Sequence, residues 1–299
     1  MHRESMKAWL RYLLRPVYFF FLRNALAVMR HMGYFRPPKL ADKNLKYSIG
    51  IVTYIRRFEA FFIPLIQSLC SLFPDTEILI AINGHYDRKQ QEQYLSKIRA
   101  FLAAFPNVKA FPHTEAQSLC KLWNKLIINS SNDKVLIFND DILVLPHFRK
   151  ELEKCGILSV DVGLLNWSWS HFAISKKVIS RFGWFDERFP GVGNEDEDYE
   201  ARLAMRGTLA PSFSIGAVRN VVVKTKDFSY GKNMAVVNQK YTRDNKLFFD
   251  SKWDLAEQPG EGFVFVQFLG KYAKLKQGME TPEFYPEYAE QESSWKQFL

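Results

Sequence analysis

Along residues 47–138, short apolar runs alternate with stretches in which apolar residues recur at helical spacing. Short apolar runs rich in β-branched residues predict strands at Tyr47–Tyr54, Glu77–Ile82, Val108–Phe111 and Lys134–Phe138. Apolar residues at helical spacing predict helices between them at Phe58–Phe73, Asp87–Ala104 and Thr114–Ile128. This alternation of strand and helix indicates an α/β fold, with a mostly parallel sheet that carries helices on both faces.

The pattern becomes less regular in the second half of the chain. Strands are predicted at Val162–Ser168, Phe172–Ser175 and Ser214–Val223, with a short helix at Lys176–Phe182. The run Lys246–Trp253 indicates a further helix and a packed tail. We therefore predict one domain over residues 47–253 and a C-terminal extension over residues 254–299, in which no motif is found.

Polar residues follow two of the predicted strands directly. Asn83 comes after the second strand, and Asp140 and Asp141 come after the strand Lys134–Phe138. In open parallel sheets, ligands bind beyond the carboxyl ends of the strands. An aspartate pair at such a place is costly to desolvate unless a cation neutralises it, and its oxygen ligands suit Mg²⁺ or Mn²⁺. The alternative is an ordinary polar turn after a strand.

The segment Phe185–Gly207 is the most acidic part of an otherwise basic chain. Its carboxylates are Asp186, Glu187, Glu195, Asp196, Glu197, Asp198 and Glu200. One explanation is a helix that Asn194 caps and Gly207 ends, since carboxylates near a helix N-terminus are favourable. That helix is expected, but it does not explain the Phe-Asp-Glu sequence that precedes the loop. Chemistry at these carboxylates remains the second explanation.

Several enzyme classes lack their motifs in this chain. The phosphate-binding pattern GxxxxGK[ST] is missing, and so are the hydrolase patterns GxSxG and HExxH. The three cysteines lie far apart and in no metal-ligand spacing, which argues against a disulfide framework or a zinc site. A reducing compartment fits this cysteine usage best.

The positive charge of the chain is concentrated at its N-terminus. The net charge is +9, and residues 1–46 hold ten Lys/Arg against two acidic residues, a net +8. Arginines interrupt every apolar run there, and the longest uncharged run, Pro16–Leu22, is far shorter than the roughly 20 residues that span a bilayer. We predict an interfacial segment that binds an anionic membrane surface. The alternatives are a helix packed on the protein itself or on a second subunit, and a nucleic-acid-binding arm, for which no reading module is found.

Four motifs in this order are similar to those of a known family. They are SIGIVTY, Ile-Asn-Gly after the second strand, IFNDDI, and WFDERF followed by NEDEDYEARLAMRG. Over residues 47–253 the chain resembles GT-A glycosyltransferases, and most of all the inverting family 2 that builds bacterial surface polysaccharides. The resemblance implies the GT-A (Rossmann-like) fold and a reaction that moves a sugar from a nucleotide-diphosphate donor to a lipid-linked or polysaccharide acceptor.

The resemblance also implies roles for individual residues. Thr53, Tyr54 and Asn83 would bind the donor nucleotide, and Asp141 would bind Mn²⁺ or Mg²⁺, with Asp140 on the metal or the donor ribose. Asp196 would be the general base, supported by Glu195 and by Asp198, which is also placed at the acceptor. A non-catalytic protein that binds a sugar nucleotide or a glycan is the alternative.

Aromatic residues between the two acidic motifs are candidates for sugar contacts. Trp167, Trp169 and Trp184 either stack on an acceptor sugar or pack in the core. His171 either reaches a sugar or is a structural histidine. With the basic segment at residues 1–46, this interpretation predicts a cytoplasmic enzyme at the inner face of the cytoplasmic membrane, and it leaves the oligomeric state open.

Overall fold

The computed structural model of the chain describes residues 46–220, 243–282 and Tyr285. The predicted membrane-binding segment lies outside the described residues, apart from Lys46, and so do residues 221–242 and most of residues 283–299. Among the described residues, no helix is long and apolar enough to cross a membrane.

A seven-stranded sheet forms the centre of the described structure. Its strands are β1 (Tyr47–Thr53), β2 (Ile78–Ile82), β3 (Val108–Pro112), β4 (Lys134–Asn139), β6 (Val162–Leu165), β7 (Ser168–Ser175) and β8 (Ser212–Phe213), with β5 (Ile142–Val144) outside it. The strand order is β3-β2-β1-β4-β7-β6-β8. Only β7 runs against the others, because it is antiparallel to both β4 and β6. The sheet is therefore mostly parallel, which confirms the predicted α/β fold class.

Helices cover both faces of this sheet. They are α1 (Ile63–Leu72), α2 (Arg88–Leu102), α3 (Leu119–Asn129), α4 (Phe148–Cys155), α5 (Lys176–Phe182) and α6 (Glu195–Met205), and residues 243–252 are also helical. Side chains alternate across the strands: Leu136 and Phe138 of β4 pack with α1, α2 and α4, whereas Val135 and Ile137 pack with α3, α5 and α6. This alternation follows from the period-two geometry of a strand.

The C-terminal part of the chain contributes to the second of these cores. A three-stranded antiparallel sheet contains β10 (Trp253–Ala256), β11 (Val264–Val266) and β12 (Lys271–Leu275), with β12 in the middle. Trp253, Val266 and Ala273 are buried together with the apolar residues of α6, and Tyr285 joins them. The described part of the predicted extension is therefore packed as an integral layer of the domain.

Three boundaries differ from the sequence predictions. The helix predicted at Thr114–Ile128 begins at Leu119, because Ser118 rather than Thr114 caps it by accepting a hydrogen bond from the backbone of Lys121. Strand β7 begins at Ser168 rather than Phe172. The strand predicted at Ser214–Val223 appears as β9 (Val218–Asn220), which pairs with β5 in a separate two-stranded sheet.

Candidate functional site

The carboxyl ends of three neighbouring strands bring the predicted donor residues to one edge of the sheet. Thr53 of β1 pairs with Ile82 of β2, and Val52 pairs with Asn139 of β4. Asn83 therefore follows directly beyond the end of β2, and Asp140 and Asp141 follow beyond β4. The edge that parallel α/β sheets use for ligands is thus the polar edge of this sheet.

Asp140 is a buried residue whose two carboxylate oxygens are both engaged. One oxygen accepts a hydrogen bond of 2.7 Å from the Thr53 hydroxyl, and the other accepts one of 2.7 Å from Arg57. Burial raises the pKa of Asp140 to about 6, and Arg57 and Thr53 act in the opposite direction. Only 1 % of the side chain is exposed, so Asp140 is bound to the protein in this structure, and its roles as a metal ligand and donor contact stay predictions. Thr53, equally buried, orients Asp140, and its donor contact also stays a prediction.

Asp141 is the accessible member of the pair. Its side chain is 34 % exposed, and one oxygen lies 3.2 Å from the Arg57 guanidinium. Arg57 therefore bridges both aspartates, and their charges raise its pKa although burial acts against its charged form. The ring of Tyr54 lies 5.3 Å from the guanidinium carbon. Arg57 was missed by the sequence analysis, which gave it no motif of its own.

Asn83 fixes a loop and uses its side chain to do so. Its amide oxygen accepts hydrogen bonds from the backbone of Gly84 and Gln117, and its amide nitrogen donates to the Gln117 carbonyl. A Cβ atom on Gly84 would lie 2.2 Å from backbone atoms of Glu115. The Asn-Gly pair therefore lets the loop before α3 approach the end of β2. These bonds account for Asn83 without a nucleotide contact.

A divalent ion at this edge of the sheet would need a bound ligand to supply part of its coordination shell. Among the described residues, no group of three or more His, Cys, Asp and Glu side chains has metal-binding geometry. Of the aspartate pair after β4, Asp141 is the member with an accessible carboxylate oxygen. Mg²⁺ is commonly held by one or two carboxylates together with substrate phosphates and water, so Asp141 suits an ion whose other ligands come from a diphosphate.

The turn between β6 and β7 lies beyond the end of β4. Phe138 of β4 pairs with His171, so residues 167–170 extend past that end. Asn166 and Trp167 both have left-handed backbone conformations, with φ of 53° and 60°, and Trp167 is 42 % exposed. Asn166 holds the turn by accepting from the Ile215 backbone and donating to its carbonyl. A bulky residue held in this rare conformation beyond the carboxyl ends of the strands is a candidate functional position.

The neighbouring aromatic candidates are core residues. Trp169 and Trp184 are buried, and Trp169 packs edge-on against Phe185 and Tyr199. This placement favours the core-packing alternative for Trp169, and acceptor stacking stays a prediction. His171 is buried too, and burial lowers its pKa to about 4 although the charge of Asp141 acts to raise it. His171 is therefore a neutral residue near Asp141.

The acidic segment reaches the same edge of the sheet. The backbone of Leu119, the first residue of α3, donates to the carbonyl of Gly191. Because α3 follows the carboxyl end of β3, the loop before α6 lies over this edge. Trp169 also connects the two regions, since its indole donates to Glu200 of α6 over 3.4 Å. Gly193 and Asn194 take left-handed conformations just before the helix begins.

Two of the motif carboxylates are buried in an ion network. Lys252 donates to Asp186 and lies 2.7 Å from an oxygen of each of Asp186 and Asp198. Arg188 also binds Asp186, and Arg202 binds Asp198. Burial acts to raise the pKa of Asp186, but its bonds to Arg188 and Lys252 prevail and lower it. Asp198 is completely buried in this network, and its contact with an acceptor stays a prediction.

Side chains from other parts of the chain hold the rest of the motif. Asn124 of α3 bonds the backbone of Phe185 in both directions, and its amide donates to Glu187. Asn245 accepts from the Gly191 backbone and donates to the Gly193 carbonyl. Lys252 follows Asn245 by two helical turns on one helix face. Nothing near Asn124 or Asn245 in sequence signalled these contacts.

Glu195, Asp196 and Glu197 form the first turn of α6. Burial raises the pKa of all three, and the charge of Asp196 adds to the effect on Glu195 and Glu197, the latter reaching about 7. Asn194 occupies the cap position, but its amide donates to Glu197 at 2.5 Å instead of accepting from the helix backbone. Asp196 is partly exposed. Burial therefore favours the protonated forms of the carboxylates in this turn.

A separate cavity of about 510 Å³ lies between the segment after β1 and α2. Ile55, Arg56, Tyr94 and Lys97 are among the residues that line it, and neither aspartate does. The cavity is also lined by residues of the π-helical turn Phe58–Phe62, which follows Arg57 directly in sequence. Its mixed lining does not identify a ligand.

Comparison with known proteins gave matches among solved structures. Neither the family models nor the curated protein sequences contain a match. A mannosyltransferase from Pyrobaculum calidifontis in complex with GDP-Man and Mn²⁺ has 13% sequence identity and a TM-score of 0.47, covering 76% of this chain and 72% of its own. Residues 1–349 of TarS from S. aureus in complex with UDP have 14% identity and a TM-score of 0.42, covering 65% of each chain. GalNAc-T7 with UDP, GalNAc and Mn²⁺ has 12% identity and a TM-score of 0.47, covering 70% of this chain and 50% of its own. In structure, the chain is similar to these GT-A glycosyltransferases, in each case at low sequence identity.

Proposed function

We propose that the chain is a glycosyltransferase that moves a sugar from a nucleotide-diphosphate donor to an acceptor hydroxyl. One observation carries the proposal: an accessible aspartate, Asp141, and a helical turn of carboxylates whose pKa values are raised by burial lie at the same edge of one α/β sheet. The four motifs that resemble the inverting glycosyltransferases of family 2 supply these residues. A lipid-linked or polysaccharide acceptor is the substrate class that this resemblance implies.

Asp196 is the base in this proposal. It takes the proton of the acceptor hydroxyl as the acceptor oxygen bonds to the anomeric carbon, and the bond from that carbon to the diphosphate oxygen breaks. A carboxylate with a raised pKa suits this step, because a general base works best when its pKa lies near the working pH. Burial raises the pKa of Asp196, and the charge of Asp196 adds to the effect of burial on the pKa values of Glu195 and Glu197. Inversion at the anomeric carbon follows from a single displacement of this kind.

The diphosphate belongs at Asp141 and Arg57. When bound there, Mn²⁺ or Mg²⁺ supplies positive charge that stabilises the leaving diphosphate. Asp141 is the protein residue that would hold it, while Asp140 and Thr53 fix the position of Arg57. Trp167, exposed on its left-handed turn, is the surface on which an acceptor sugar would stack.

Two variants and a matched control test the proposal. A thermal-shift screen of nucleotide sugars with Mn²⁺ first identifies the donor, because a ligand that binds only the folded state raises its stability. We expect Asp196→Asn to lower the transfer rate by about 10²–10⁴ while donor binding persists, and Asp141→Ala to weaken donor binding. Glu92→Gln, on the exposed side of α2, should change neither. Full transfer in both site variants would refute the assignment, and donor binding without turnover in the unaltered protein would favour the non-catalytic alternative.

Residues 1–46 form the basis of a separate part of the proposal, membrane association. Their net charge of +8 and their interrupted apolar runs suit an anionic surface such as the inner face of the cytoplasmic membrane, where each cation contributes about 1 kcal/mol. We expect the full chain to float with vesicles that contain phosphatidylglycerol, and a chain that begins at Tyr47 to remain unbound. Equal flotation of both would refute this role.

A further inference from the structure

Arg57 occupies the position at which a cation is needed beside the two aspartates. Its Nη1 atom lies 2.7 Å from an oxygen of Asp140 and 3.2 Å from an oxygen of Asp141. The segment that carries it is unusual, because a 3₁₀ turn, Ile55–Arg57, runs directly into the π-helical turn Phe58–Phe62. π-Helical turns are rare and often occur at functional sites. The fold thus provides the aspartate pair with its own positive charge.

The two contacts of Arg57 are unequal. Asp140 is buried, forms the shorter contact, and is fixed on its other oxygen by Thr53. Asp141 is one-third exposed and forms the longer contact. An ion pair exposed to water is weak and readily exchanged, whereas a buried and hydrogen-bonded one is not. Asp140 therefore anchors Arg57, and Asp141 is free to change its partner.

We propose that Arg57 is an exchangeable counter-ion. In the nucleotide-free protein, Arg57 neutralises Asp141. When a diphosphate binds to the guanidinium of Arg57, Asp141 is released from this contact and binds a divalent cation instead. The proposal rests on the proposed function, since the diphosphate is that of the donor. It makes metal binding depend on donor binding, and it assigns Arg57 to the phosphate groups.

The charges at the site lead to this order of binding. Two ionised aspartates and one guanidinium leave a single negative charge, and a divalent ion that approaches Asp141 is repelled by the guanidinium beside it. A diphosphate reverses this situation, because it adds negative charge and the oxygen ligands that the ion needs. Both contacts with the aspartates use Nη1, so the remaining N–H groups of the guanidinium keep their capacity to donate to phosphate oxygens.

The first test measures metal binding without any nucleotide. The probe is Mn²⁺ alone, titrated into the full-length protein and followed by the electron paramagnetic resonance of unbound Mn²⁺. We expect Arg57→Gln to bind Mn²⁺ at least about tenfold more tightly than the unaltered protein, since a neighbouring positive charge is removed. Arg56→Gln removes the same charge from the exposed adjacent residue, and it should leave the affinity unchanged. Adding Asp141→Asn to Arg57→Gln should abolish the gain.

The second test adds the diphosphate. Titration calorimetry with pyrophosphate, and with the nucleoside diphosphate of the donor, is carried out with and without Mn²⁺. In the unaltered protein each ligand should tighten the binding of the other by the same factor. In Arg57→Gln that coupling should fall, and pyrophosphate should bind at least about tenfold more weakly at saturating Mn²⁺. If circular dichroism shows that the glutamine variant does not fold, Arg57→Lys decides the question: because it keeps the charge, its affinity for Mn²⁺ alone should stay as weak as in the unaltered protein, and a gain of about tenfold would overturn the counter-ion role.

The outcomes separate this inference from the proposed function. Mn²⁺ affinity that is equal in the unaltered protein and in Arg57→Gln would overturn the counter-ion role, even if donor binding and transfer are found. Failure of every nucleotide sugar and nucleoside diphosphate to bind would overturn the proposed function. The comparison of Mn²⁺ binding between the arginine variants would still decide the role of Arg57.

Discussion

Replacement of Lys252 by methionine tests whether the C-terminal helix holds the acidic motif in place. The ammonium group is completely buried and lies 2.7 Å from an oxygen of Asp186 and from one of Asp198. At an effective dielectric constant of 20, each contact represents about 6 kcal/mol of gross attraction. The desolvation of three charges offsets most of this, and breaking a buried ion pair costs about 3–5 kcal/mol in net terms. Because Arg188 and Arg202 remain bound to the two aspartates, we expect a loss near the lower limit, about 3 kcal/mol.

Urea denaturation followed by circular dichroism measures this loss as a lower midpoint at an unchanged slope. A loss of that size is a large part of the roughly 5–15 kcal/mol by which a domain is stable. Lys246→Met is the matched control, since it removes an exposed lysine of the same helix that pairs with Asp250 and should cost no more than about 1 kcal/mol. If Lys252→Met costs no more than Lys246→Met, the ion network does not hold the motif.

Three further outcomes follow from the same structure. Burial raises the pKa of Asp140 to about 6 and that of Glu197 to about 7, so the folded state binds protons that the unfolded state, with carboxyl pKa values of about 4, releases. Burial lowers the pKa of His113 and His171 to about 4, which acts in the opposite direction below about pH 6.5. The free energy of unfolding should therefore rise as the pH falls from about 8 to about 6.5, and urea midpoints that rise with pH over this range would contradict it. Glu197→Gln removes a negative charge beside Asp196, so the acid limb of the pH–rate profile should move to lower pH, whereas an unmoved limb would argue against Asp196 as the base. Gly84→Ala places a Cβ 2.2 Å from backbone atoms of Glu115 and should cost about 1–3 kcal/mol with weaker nucleotide binding, a result that an unchanged melting temperature would exclude.

The sheet and its polar edge were predictable from the sequence because they depend on local patterns. Short apolar runs predicted β1, β2 and β4 to within a few residues. The residues that follow a strand in a parallel sheet must lie at the carboxyl edge of that sheet. The start of β7 was missed since Ser168 and Ser170 interrupt its apolar pattern. The strand forms there because its backbone pairs with β6 and β4, on which the sequence pattern carries no information.

The roles of the site residues were less predictable, because they depend on partners distant in sequence. The predicted edge contains Thr53, Asp140 and Asn83, but the polar side-chain atoms of each form hydrogen bonds within the protein. Arg57 reaches Asp140 across 83 residues and Lys252 reaches Asp186 across 66. No spacing rule connects such pairs. The motifs in the sequence predict where a site lies. The burial of each side chain, which the sequence does not give, determines whether that side chain is accessible to a ligand.

The acidic segment illustrates how burial and charge divide a single motif into two functions. Asp186 and Asp198 form ion pairs with Lys252 and the arginines, and these pairs fix the loop and helix in position. Glu195, Asp196 and Glu197 crowd one helical turn, and burial together with mutual repulsion raises the pKa values there. A helix N-terminus would otherwise lower the pKa of a carboxyl. At Asp196 the effect of burial on the pKa outweighs the effect of the helix dipole. Because Asp196 also lies at the edge of the sheet that presents Asp141, this turn is where we propose the general base.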